Sequence, residues 1–306
     1  MQKNISSINL SLIQLNVCVL LLGGTSLFAK LINLPADTIT LFRSFFGFLG
    51  LLLLIFISRS PFRLQSTKDY LWMIFTGFLL GIHWVTYFHS IQISTVAIGI
   101  VSLYTFPIIT SLMEPLINCE KVQIANLLRA AFVFLGILLI IPEFELSNQI
   151  TVGTLWGLTS AVLISTRNIL VRKTLSHVSG VITMCYQLVI ICLMLTPFVS
   201  FQQNLLVENR LILLVLLGLF FTAAPHVLLV ASLRHLKAAT ASLILCLHPM
   251  YSIVLAAIVI AEIPDKRVLL GGLIIVSISI YESIIVNKKN TKENFKISQN
   301  RANARK

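Results

Sequence analysis

The residues of this chain that could do chemistry are the few polar and ionisable ones set deep in apolar sequence. Thr76, His83, Tyr87 and Ser90 follow at spacings of seven, four and three, which puts them on one face of a helix. The opposite face is mainly Leu, Ile, Phe and Val. An imidazole that titrates near neutral pH, beside a phenol and hydroxyls, suits proton coupling or the walls of a polar cavity. The same stripe also suits hydrogen bonding to adjacent helices. Trp84 and Tyr104 add aromatic surface, for a solute or for packing. Tyr104, Pro107, Ser111 and Glu114 align along a second helix. Pro107 lacks the N–H that would bond Leu103 and disfavours helical geometry at Phe106. Pro249, between His248 and Met250, does the same further on. A carbonyl freed in this way could coordinate a solute, let the helix bend, or be satisfied by a neighbour.

Glu114 is read as the one acid well inside an apolar span. It could carry a proton coupled to a solute, or form a structural ion pair with Arg129 or Arg167. Arg43 keeps its charge; it could bind an anionic group or reach for the membrane interface. His226 and His248 are candidates for proton chemistry or for hydrogen-bonded core positions. Glu120 and Glu262 end apolar stretches beside Lys121 and Lys266 and read as structural caps or latches. Enzyme chemistry at a membrane face would need clustered acids, histidines or a metal triad. The chain has eleven acids, and its two-acid loops, 143–145 and 262–265, hold no histidine. No cofactor or metal is expected. The five cysteines form no CxxC pair and read as packing residues.

The elements that must position these groups are membrane helices. Of 306 residues, 57% are hydrophobic and 11% charged, and mean hydropathy is +0.93. A soluble surface needs roughly 25% charged residues. Ten apolar segments are long enough to cross a core of ~30 Å. They run about 9–32, 38–58, 70–91, 95–117, 123–142, 151–171, 180–201, 210–233, 238–261 and 267–287. The first is read as a retained helix and not as a cleaved signal. The net charge of +12 is not a nucleic-acid signal, because seven of the 23 Lys and Arg lie beyond Val286. That stretch, 288–306, reads as a disordered, basic cytosolic tail. With residues 1–8 also cytosolic, sixteen basic residues fall on the cytosolic side and four opposite, so both termini are expected inside.

An internal repeat orders the spans. Ser90, Ala97, Pro107 and Glu120 recur 142 positions later as Ser232, Ala239, Pro249 and Glu262. A weaker echo pairs Gly23-Gly-Thr-Ser26 with Gly157-Leu-Thr-Ser160. Residues 9–142 make one five-helix unit and 151–287 the other. Five is odd, so the second unit enters the membrane inverted. Inverted repeats with broken helices in matching positions are a pattern of transporters.

The stretches 41–50, 83–116 and 236–264 carry a resemblance to the EamA family of the drug/metabolite transporter superfamily. It covers about 10–287. The resemblance implies a carrier for a small organic solute, an amino acid or related metabolite, in the bacterial inner membrane. It also implies a central cavity and alternating access; the scarcity of clustered acids and histidines argues separately against an enzyme. Cavity-lining or coupling roles are expected for His83, Trp84, Tyr87, Tyr104, Arg43, Ser111, Glu114, His226 and His248. Glu114 is Ala256 in the second unit, so the halves are not chemically equivalent. The expected partners are a small-molecule substrate and the lipid bilayer, with no nucleic acid. Gly271-Gly272 suggests close helix packing, either within the chain or in a homodimer. A passive channel or facilitator for small polar solutes is the alternative.

Overall fold

The computed structural model describes residues 2–59, 62–141, 143, 145–199, 209–232, 236 and 238–303. Most of the described residues are helical. The first half holds α1 (Gln2–Thr25), α2 (Phe28–Leu31), α3 (Ala36–Ser58), α4 (Thr67–Ile93), α5 (Val96–Leu103), α6 (Phe106–Ile117) and α7 (Ile124–Ile140). The second holds α8 (Gln149–Thr174), α9 (Gly180–Leu195), α10 (Arg210–Gly218), α11 (Ala224–Ser232), α12 (Ala238–Leu245), α13 (His248–Val259) and α14 (Lys266–Asn303). A π-helical turn, Leu219–Ala223, joins α10 to α11.

Among the described residues, six helical stretches are long and apolar enough to cross a membrane: Asn9–Leu31, Ala36–Ser58, Thr67–Ile93, Val96–Ile117, Arg210–Ser232 and Lys266–Ile285. Three shorter apolar stretches, Ile124–Ile140, Gly180–Leu195 and Leu243–Val259, accompany them. The α8 helix spans 26 residues but carries Arg167, Arg172 and Lys173 and many hydroxyls. Apolarity alone therefore does not mark it.

Packing shows the two-fold relation of the halves. Contacts of α4 with α8 match those of α1 with α11, and contacts of α4 with α9 match those of α3 with α10. The pairs α3–α9 and α7–α14 map onto themselves when the halves are exchanged. Cys119 and Ala261, 142 positions apart, both turn the chain at positive φ, 58° and 52°. The α5 segment is buried at every residue and lies at the centre.

Both expected breaks are present. The helix stops at Leu103 and restarts at Phe106, and stops at Leu245 and restarts at His248, with proline in the first turn of each second piece. The basic tail departs from expectation. Helix α14 continues to Asn303, and no Gly or Pro after Gly272 interrupts it. Gly271-Gly272 packs within the chain. A Cβ on Gly271 would lie 2.5 Å from Gly136 O, and one on Gly272 would lie 3.0 Å from Val101 Cγ2.

Candidate functional site

A cavity of about 180 Å³ lies between the halves. Arg43 of α3 and His83, Trp84 and Tyr87 of α4 line it, with Arg167 of α8, His226 of α11 and His248 of α13. Leu22, Thr25, Leu80, Leu103, Ile164 and Met184 complete the wall. One turn of α4 supplies three of these side chains, because positions 83, 84 and 87 share a helix face. The rest of its polar stripe is taken up by neighbours. Gln187 Nε2 donates to Thr76 Oγ1 at 2.8 Å, and Ser90 Oγ donates to Gly153 O at 2.6 Å.

Hydrogen bonds assign the histidine tautomers. His83 Nδ1 lies 2.7 Å from Ser160 Oγ and 3.0 Å from Ser160 O. A carbonyl only accepts, so Nδ1 carries the proton and Nε2 keeps its lone pair. Ser160 Oγ donates to His83 O at 2.9 Å. His226 Nδ1 donates to Thr222 O at 2.7 Å, which again leaves Nε2 as an acceptor. His248 Nε2 is buried with no hydrogen-bond partner among the described residues.

The arginines are fixed by neutral groups. Arg43 is 3% exposed. Its guanidinium lies 4.0 Å from the centre of the Trp84 ring and 5.1 Å from that of Phe88, a cation–π arrangement. Arg43 Nε donates to Thr222 Oγ1 at 3.2 Å. Arg167 donates to Gln187 Oε1 and, at 3.0 Å, to Asn168 Oδ1.

Thr222 sits in the π turn, where its hydroxyl also donates to Leu217 O five residues back, at 2.8 Å. Such turns occur often at functional sites. Pro225 follows. It cannot donate to Phe221 O, and Thr25 Oγ1 donates to that carbonyl instead, at 3.0 Å. The sequence reading missed Pro225, Thr222 and Gln187, and treated Arg167 only as a partner for Glu114. The Pro225-His226 dipeptide was the available signal for the first.

Other expected residues lie away from the cavity. Tyr104 is buried, and its hydroxyl donates to Leu245 O at 2.7 Å. This is the carbonyl that Pro249 leaves free, so it is bound by protein and not offered to a solute. Tyr104 also stands edge-on to His248, with ring centres 5.5 Å apart. Ser111 Oγ bonds back to Ile108 O at 2.9 Å. Glu114 pairs with Arg172, not with Arg129 or Arg167. Arg172 lies near the end of α8 and meets the last turns of α6. Arg129 instead pairs with Glu282 at 2.8 Å. Glu282 is 4% exposed, so Glu114 is not the one embedded acid. Glu282 lies within the last predicted span, 267–287, and the sequence reading did not single it out. Glu262 Oε1 accepts from Val96 N at 2.6 Å, capping α5 from the other half.

Apolar helices long enough to span a bilayer, arranged as two repeats around a polar central cavity, define a multi-pass membrane transporter. The EamA-like transporter family model matches twice, over residues 9–141 and 151–281, and the chain belongs to that family. A protein of Bacillus subtilis (strain 168), described as the uncharacterized transporter YxxF, is 24% identical over 269 residues and is covered to 85%, as is this chain. A solved crystal structure aligns with a TM-score of 0.61 at 16% identity, covering 93% of this chain and 98% of that one. It is a likeness of fold. The family is one of transporters and not of enzymes.

Proposed function

We propose that the chain is a secondary carrier of a small organic solute, working by alternating access. Ten crossings form two inverted five-helix units, with both termini in the cytosol of a bacterial cell and the protein in its inner membrane. One observation carries the reading. The two halves, related by one sequence offset, meet around a cavity lined by arginines and histidines and bounded by helices broken at Tyr104-Thr105 and Cys246-Leu247. Paired breaks in matching helices of two repeats are where carriers hold their solutes. His83, Trp84, Tyr87, Arg43, His226 and His248 line the site in this proposal. Tyr104 supports it from behind, and Glu114 and Ser111 serve structure.

The test is uptake by the purified protein in liposomes, across a panel of small organic solutes, with and without a pH gradient. Wild type is compared with His83→Ala. Saturable uptake that His83→Ala reduces by about tenfold or more is expected. Flux that never saturates would replace the carrier by a channel. Saturable flux untouched by His83→Ala would move the site away from this face of α4.

A further inference from the structure

Among the described residues, the central cavity is lined by two arginines and no carboxylate. We propose that the solute is a net-negative organic acid whose carboxylate is held between Arg43 and Arg167. The proposal rests on the carrier reading above and narrows its substrate class.

Among the described residues, no Asp or Glu lines the cavity. Neither arginine forms an ion pair among the described residues. Every group that holds Arg43 in place, the Thr222 hydroxyl and the Trp84 and Phe88 rings, is neutral. Its Nη atoms have no hydrogen-bond partner among the described residues. Arg167 is held by two neutral amides, and its Nε is buried and unpartnered. A charge inside the membrane is costly unless something opposes it. Among the described residues none supplies the opposing charge at this cavity, and a bound anion would. The guanidinium fork matches a carboxylate with two parallel hydrogen bonds.

The rest of the wall fits the rest of such a molecule. Leu22, Leu80, Leu103, Ile164 and Met184 offer an apolar bed for a carbon skeleton. The Nε2 lone pairs of His83 and His226 can accept from a hydroxyl. A zwitterionic amino acid fits less well, because its ammonium would face two fixed cations with no carboxylate to receive it. Its carboxylate gains nothing that a hydroxy acid would not also gain. Cavities of ~150 Å³ hold a benzene-sized ligand, so a volume of about 180 Å³ suits a compact acid.

The test uses one carbon skeleton in three charge states: 2-hydroxy-4-methylpentanoate, leucine and 4-methylpentanamide. A panel of mono- and dicarboxylates of roughly two to six carbons, sized to this volume class, accompanies them. Uptake into liposomes is measured for wild type, Arg43→Gln, Arg167→Gln and the matching Lys variants. Size-exclusion chromatography confirms that each variant is folded. At least one acid is expected to be taken up saturably, with its amino acid and amide counterparts about tenfold weaker or more. Each Gln variant is expected to raise the half-saturation concentration about tenfold, and each Lys variant, which keeps the charge, to recover part of the loss. The proposal is overturned if the zwitterion or amide matches the acid. It also fails if acid uptake ignores both Gln variants, or if no acid of the panel is taken up. Saturable flux of a neutral or zwitterionic solute that equals or exceeds that of every acid would end the anion proposal and leave the carrier. Acid-selective flux without saturation would end the carrier and leave the anion selectivity.

Discussion

Thr222 shows how much one side chain can be asked to hold. Its hydroxyl accepts from Arg43 Nε, and its carbonyl accepts from His226 Nδ1. Thr222→Val keeps the volume and the carbonyl but strips Arg43 of its acceptor. A buried charged donor left unpaired costs about 1–3 kcal/mol. Thermal unfolding of the detergent-solubilised variant should fall accordingly, and uptake should weaken with it. At this scale the sequence was partly legible. Arg43, His83, Trp84, Tyr87, His226 and His248 stand out because polar groups are rare in apolar spans. Arg167 and Gln187 also stood in plain view. Their meaning depends on which helices face each other across the bundle, and spacing within one helix does not carry that.

Among the elements, the α7–α14 crossing is set by backbone meeting backbone. A methyl on Gly271 would sit 2.5 Å from Gly136 O, whereas one on Gly272 would meet only a Val101 methyl at 3.0 Å. A carbonyl cannot swing aside as a side chain can. Gly271→Ala should therefore destabilise by roughly 1–3 kcal/mol and Gly272→Ala by less, as read from the two unfolding temperatures. The broken helices were legible from Pro107 and Pro249, because proline removes a specific N–H. The π turn before Pro225 was not legible, because residues 211–224 are apolar apart from Thr222 and offer no polar face whose rotation an extra residue would reveal. The tail misled for a related reason. Its charge implied disorder, but the absence of any Gly or Pro after Gly272 lets the helix run on.

For the whole molecule, native cysteines provide a test of orientation. Cys119 is exposed at the turn after α6, while Cys18, Cys185 and Cys246 are buried. With both termini in the cytosol, a membrane-impermeant maleimide should label Cys119 in inside-out vesicles and leave it untouched in intact cells. Labelling in intact cells would reverse the proposed topology. The repeat was legible because identities shared one offset. What the offset alone could not convey is where the halves differ. Tyr104 donates to Leu245 O, and the exchange of halves carries this pair onto Cys246 and Leu103. A thiol is a weak donor where the phenol is a strong one. A molecule that cycles by swapping the conformations of its halves would hold this bond in one state and only a poor copy of it in the mirror state. A hydrogen bond is worth about 0.5–1.5 kcal/mol net, so the two ends of the cycle differ in population by a few-fold to about tenfold. On the proposed alternating-access cycle the empty protein would have a resting side, and Tyr104→Phe should level it, shortening the wait before solute is met at the disfavoured face.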